Sequence, residues 1–203
     1  DISAYNLFTS RHVTRVWKSF AQTYLLWPAF IQRPDDLDHA LLDASGVGVI
    51  LSRVPMDRQV LAAERLEPVV VEPGFHAYRR LDAMPRTWLV SEAVIDPTSN
   101  AMGEPGWSPR TTVVLTDSAV TALGPGYRAA TLTSDEPGHV VVDLPDTDPG
   151  FLVLADAWWP GWKADVEMED GTVRTVDPLR ANGAFMAVPL QQGARTVVFR
   201  YTA

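Results

Sequence analysis

The residues with the most to offer a ligand cluster at Asp156-Ala-Trp-Trp-Pro-Gly-Trp-Lys163. Trp158, Trp159 and Trp162 bring three indoles to one turn, and an indole face packs against the apolar face of a pyranose ring while a polar rim takes the hydroxyls. Asp156 and Lys163 flank the turn, and Arg180 and Asn182 follow in a polar stretch between two apolar segments. Together Trp158, Trp159, Asp156, Lys163, Arg180 and Asn182 form the candidate ligand-binding set. Large apolar side chains usually sit inside a fold. Trp162, which continues the apolar side of the segment after it, therefore reads as core, and Trp158 and Trp159 are expected to point to different sides.

Other chemistries find less support. Asp146-Thr147-Asp148 has the D-x-D spacing that can hold a divalent cation through hard oxygens, but it lies between Pro145 and Pro149 in a turn-rich connector where aspartates cap backbone N–H groups. His12, His39, His76 and His139 are scattered without zinc-binding spacing. No G-x-S-x-G occurs, and with no cysteine a thiol nucleophile is excluded. Gly46-Val-Gly48 lacks the third glycine of a dinucleotide loop. Arg79, Arg80, Arg86 and Arg110 could clamp a phosphate or carboxylate, although solvated surface arginines are the commoner case. Asp165 and Glu167, two apart on one strand, would share a face and simply meet water. The reading assigns no catalytic residue, no metal and no cofactor.

The elements that must hold the turn are legible on both sides. Phe151–Ala157 is a short apolar run bounded by Pro149-Gly150 and Pro160-Gly161, as expected of a strand buried on both faces. Trp162, Ala164, Val166 and Met168 alternate with Lys163, Asp165, Glu167 and Glu169, the pattern of a half-buried strand. Asp170-Gly171 predicts a tight type I′ hairpin to 172–176. A loop over 177–183 follows, then strands over 184–190 and 195–201 separated by Gln191-Gln192-Gly193, in an antiparallel meander. The loop over 177–183 should return to the end of the sandwich that carries the tryptophans.

Upstream, Val13, Val16, Trp17, Phe20, Ala21 and Tyr24 form the apolar face of a helix capped by Thr9 or Ser10. A second helix is expected from Asp35 to Gly46, a strand over 47–51 and a short helix within 57–67. Strands are expected over 69–72, 77–81 and 87–95. The Pro-, Gly- and Ser-rich text from Asp96 to Arg110 reads as a linker or long loop. Strands over 111–116, 127–133 and 139–144 come next. The expected architecture is mainly β with an α/β N-terminal part, residues 1–105 forming a mixed α/β lobe and 106–203 an antiparallel, jelly-roll-like β-sandwich.

From Phe151 onward, FLVLADAWWPGWKADVE and then LRANGAFMAVPLQQGARTVVFRY, the chain resembles the C-terminal extracytoplasmic part of the YfhO family of bacterial polytopic membrane proteins. In that family a PGW(K)A turn, a ranxaFmaVpl strand and a GxHtVxFrY strand follow in this order. Weaker similarity lies in Leu42–Ser52 and Met84–Leu89. The family's usual His in the last turn is replaced by Ala194-Arg195, and Gly48 stands where an Arg is common. The resemblance implies a domain of a GT-C-like membrane glycosyltransferase, on the extracytoplasmic side of the cell membrane and tethered by flanking transmembrane helices. That domain would support sugar transfer from a lipid carrier to a cell-surface polymer by glycan recognition or scaffolding. Its partners would be a cell-surface glycan or a lipid-linked sugar, with the catalytic carboxylates elsewhere in the parent protein. The alternative is a structural or protein-interaction sandwich without ligand, and a free-standing hydrolase ranks last.

Composition bounds these readings. An apolar content of 46% over 203 residues suffices for a packed core. A net charge of −8 and a pI near 4.9 argue against nucleic acid and against docking on anionic lipid. No stretch reaches the about 18 apolar residues that span a bilayer. The start at Asp1 suggests a piece of a longer protein.

Overall fold

The structure, a computed structural model, describes residues 39–117, 126–145 and 148–202. The amphipathic segment over 13–24 and the Asp35 cap lie outside them. The chain divides into two compact units between Met84 and Pro85.

In the first unit, α1 (His39–Ala44) ends at Gly46, whose φ of 63° lets its N–H reach Asp43 O while Val47 N–H reaches Leu42 O. Strand β1 (Val49–Ser52) follows, then α2 (Arg58–Ala63), where Asp57 accepts from Val60 N–H as N-cap. Strands β2 (Leu66–Glu72) and β3 (Phe75–Arg80) complete an antiparallel sheet in the order β1-β3-β2. Arg80 is buried against α1: its guanidinium donates to Val47 O at 2.9 Å and to Asp43 Oδ1 at 2.8 Å. A buried charge needs such partners.

The second unit is the expected β-sandwich, with more strands than expected. One sheet has the order β5-β6-β13-β14-β10-β4-β7, and the facing sheet β12-β11-β15-β9-β8. The seven-stranded sheet comprises β4 (Thr87–Val90), β5 (Glu92–Ile95), β6 (Thr112–Leu115), β7 (Arg128–Ala129), β10 (Gly150–Leu154), β13 (Leu179–Ala181) and β14 (Phe185–Leu190). The five-stranded sheet comprises β8 (Thr131–Glu136), β9 (His139–Asp143), β11 (Trp162–Met168), β12 (Val173–Val176) and β15 (Ala194–Tyr201). Leu89, Leu152, Leu154, Met186 and Val188 from the first meet Val140, Val142, Ala164, Val166, Val197 and Phe199 from the second in one core.

Strand β10 is buried along its whole length, as its apolar run requires. Leu152 and Leu154 face the sandwich core. Phe151 and Val153 lie on the other face, beside their cross-strand partners Val90 and Trp88. Trp88 donates its Nε1–H to Pro109 O at 2.9 Å, which brings the end of the 96–110 segment to that outer face.

Three expectations are corrected and one alternative is decided. Residues 87–95 form two strands that pair inside the sandwich sheet, so the boundary expected near 105 falls at 84/85. The 96–110 segment is the long loop of the two alternatives and not a linker between lobes: it is the crossover between β5 and β6, which pair in parallel and therefore cannot be joined by a tight turn. The 177–183 stretch contains β13, paired with β14 and β6. The C-terminal strands are no simple meander, because β10, β13 and β14 belong to one sheet and β11, β12 and β15 to the other.

The hairpin at Asp170-Gly171 forms with a different turn. Glu167 pairs with Val173, Gly171 N–H bonds Met168 O at 3.0 Å, and Met168 N–H bonds Thr172 O at 2.9 Å. That leaves a three-residue loop, 169–171. Gly171 alone takes a positive φ, 81°, and Asp170 is spared the left-handed region that a type I′ turn would impose. Asp170 Oδ1 accepts from both the N–H and the hydroxyl of Thr172, which holds its carboxyl below the usual aspartate range.

Candidate functional site

The tryptophan turn is built by short-range bonds at the end of β10. Asp156 N–H reaches back to Leu154 O at 2.8 Å, and its Oδ1 accepts from Ala157 N–H at 2.8 Å. These bonds turn the chain out of the sheet. Pro160-Gly161 then occupy the centre of a second turn closed by Trp162 N–H on Trp159 O, with Gly161 at φ 108°. Proline fixes the first central position, and only glycine accepts the second without strain. A Cβ on Gly161 would meet Thr202 O at 2.6 Å, and Thr202 in turn bonds Gly161 O through both its N–H and its hydroxyl. The turn is thus clamped to the end of β15.

The three indoles have different surroundings. Trp158 packs against the core, its Nε1–H donates to Pro178 O at 2.9 Å and its backbone N–H to Ala184 O at 2.7 Å. Trp162 also packs against the core and lies 5.6 Å from the Tyr201 ring at 60°. Trp159 is 49% exposed, a large apolar surface left in water at the tip of a rigid turn. The bonds from Trp158 bring the Pro178 and Ala184 ends of the 177–184 stretch to the turn, as strand polarity led us to expect.

The polar candidates are engaged within the protein. Asp156 Oδ2 accepts from Arg86 at 2.9 Å, and the same guanidinium pairs with Asp135 on β8. This fork joins the starts and ends of strands from both sheets, and its half-exposed charges contribute modestly to stability. Lys163 Nζ pairs with Asp177 Oδ1 at 2.5 Å. Arg180 is half-buried and has a partner. Asn182 is fully buried: its N–H donates to Val114 O at 2.7 Å and its Oδ1 accepts from Val114 N–H at 3.0 Å. Its role is to join β13 to β6, and it cannot offer its side chain to an external ligand.

Sequence reasoning placed Arg86 among possible anion clamps and missed Asp135 and Asp177 altogether. Their pairing partners lie 49 and 14 residues away, beyond any local signal. The proposed arginine clamp is dispersed into separate contacts. Arg79 lies 3.7 Å from Glu67, Arg80 is buried on Asp43, Arg86 is shared by two carboxylates, and Arg110 sits 5.0 Å over the Tyr127 ring.

Asp165 accepts from Thr175 at 2.6 Å and pairs with Arg200, while Glu167 is exposed. Asp148 lies 3.8 Å from Arg128, and Asp146 falls outside the described residues. His76 is buried with its Nδ1 unbonded, and His39 Nε2 meets Glu64 at 2.6 Å. Among the described residues, no cluster of three metal-ligating side chains occurs, and no helix is long and apolar enough to cross a membrane.

Comparison with protein-family models, with curated proteins and with solved structures finds no match to this chain.

Proposed function

We propose that this chain is an extracytoplasmic accessory domain of a polytopic membrane protein of the YfhO type. It contacts saccharide during sugar transfer from a lipid carrier to a cell-surface polymer, and Trp159 is its stacking surface. The observation that carries the reading is the division of labour in the turn. Trp158 is tied down by two hydrogen bonds while its neighbour Trp159 is held 49% exposed by a Pro-Gly turn. A ring presented this way is already ordered, so little entropy is lost on binding. The chemistry of transfer belongs to the parent protein.

One indole face contributes about 1 kcal/mol, short of the about 4 kcal/mol that a millimolar Kd requires, so hydrogen bonds to the sugar hydroxyls and repeated contacts along a polymer supply the rest. Sedimentation of the purified chain with insoluble cell-wall polysaccharide tests this. Trp159→Ala should abolish co-sedimentation while Trp158→Phe retains it. Equal retention by Trp159→Ala would contradict the assignment.

The second reading is a scaffold without ligand. It is favoured by the internal pairing of Asp156, Lys163 and Asn182. Failure of the unmodified chain to sediment with any polysaccharide would select it.

A further inference from the structure

At the two ends of the tryptophan turn, Asp156 and Lys163, the described charges arrive already paired. Arg86 is shared between Asp135 and Asp156, and Lys163 is held by Asp177. Two cations thus face three carboxylates, and the chain as a whole carries −8. Arg180 is engaged as well.

A carboxylate or phosphate on a ligand would find no uncommitted cation among these groups. It could reach a spare N–H of Lys163 or Arg86 only by lying beside the carboxylate that already holds that cation, Asp177 or the pair Asp135 and Asp156. Like charges brought together in this way are a strong device against wrong partners. Sugar hydroxyls face no such obstacle. Each carboxylate keeps acceptor lone pairs beyond its ion pair, and the guanidinium of Arg86 has five N–H donors for its two carboxylates. A hydroxyl donates to one and accepts from the other without breaking a pair. From this arrangement, which rests on the glycan reading above, we infer that the Trp159 turn selects uncharged saccharide and rejects uronate- or phosphate-bearing polymer.

The test uses matched probes: hexamers of β-1,4-linked and of α-1,4-linked glucose, each alongside its C6-oxidised, glucuronate counterpart. They are titrated into the whole chain at low salt while the Trp159 indole signal is followed. The neutral hexamer of at least one linkage should bind at least about ten-fold more tightly than its oxidised partner. In Asp177→Asn, which leaves Lys163 without its carboxylate, that preference should shrink to about three-fold or less. Oxidised hexamers binding as tightly as neutral ones, with an affinity that falls as salt rises, would overturn the charge selection and leave the glycan reading standing. An unchanged preference in Asp177→Asn would contradict the part given to the Lys163–Asp177 pair. No response to any of the four hexamers would overturn the glycan reading itself, and the selection with it.

Discussion

Asn182 and Val114, 68 residues apart, are joined by two hydrogen bonds, one from the Asn182 backbone N–H and one to its side-chain oxygen. Asn182 has a φ of 45°, where the ladder between β13 and β6 would otherwise stop. Its side chain extends the pairing past the point at which its backbone has turned away, and asparagine tolerates that conformation better than most residues.

Asn182→Ala leaves the buried Val114 N–H without an acceptor and places a Cβ-bearing residue at positive φ without the local bond. Loss of the unbonded Nδ2 offsets a little of this. The expected cost is about 2 to 3 kcal/mol, read from the midpoint of urea unfolding. Asn182→Gly, which relieves the backbone but not the lost bond, should cost less.

The two turn glycines separate strain from crowding. Gly171 has a φ of 81° with nothing within 4 Å of a built Cβ, so Gly171→Ala should cost about 1 kcal/mol. Gly161→Ala adds a clash with Thr202 O at 2.6 Å to a φ of 108°, and should cost more than about 2 kcal/mol. Similar midpoints for both variants would contradict the clamp between the tryptophan turn and β15.

The adjacent indoles should differ as sharply in stability as in exposure. Trp158→Ala removes a side chain packed on the core together with its bond to Pro178, and should cost about 3 to 5 kcal/mol. Trp159→Ala should stay within about 1 kcal/mol of the parent in the same urea titration.

Asp96 provides the pH dependence. The Thr98 hydroxyl, followed by the Ala101 and Thr98 N–H groups, lowers its carboxyl from 3.8 to about 2. The folded value lies below the unfolded one, so the contribution is fully present above about pH 4 and is lost as pH falls towards about 2. Asp96→Asn should flatten the stability profile between those limits and leave its slope above pH 5 unchanged. Thermal unfolding at stepped pH checks this.

What could be read from the sequence was local. The alternation in 162–168 placed Ala164 and Val166 in the core, and Lys163 and Glu167 in solvent. The apolar run at 151–157 signalled a strand buried on both faces, which holds for 151–154, whereas 155–157 leave the sheet. The turn type at Asp170-Gly171 was misread because Asp-Gly serves equally a two-residue loop and a three-residue loop with glycine last. Membership of β4 and β5 in the sandwich was invisible. Their partners β10 and β6 lie across the chain, and a Pro- and Gly-rich crossover looks the same as a linker. At the tryptophan turn, Trp158 and Trp159 were expected to point to different sides, but which of the two is exposed was not legible, and the internal commitments of Asp156, Lys163 and Asn182 depend on Arg86, Asp177 and Val114, which only the folded chain brings near.

The most direct measurement is an indole N–H correlation spectrum of the whole chain, with its seven tryptophans, during titration with neutral cell-wall oligosaccharide. The account predicts a saturable shift of the Trp159 signal, with Trp158 and Trp88 nearly still because their Nε1–H groups are bonded to Pro178 O and Pro109 O. A Trp159 signal that stays in place up to tens of millimolar sugar, or one that moves no more than those two, would contradict it.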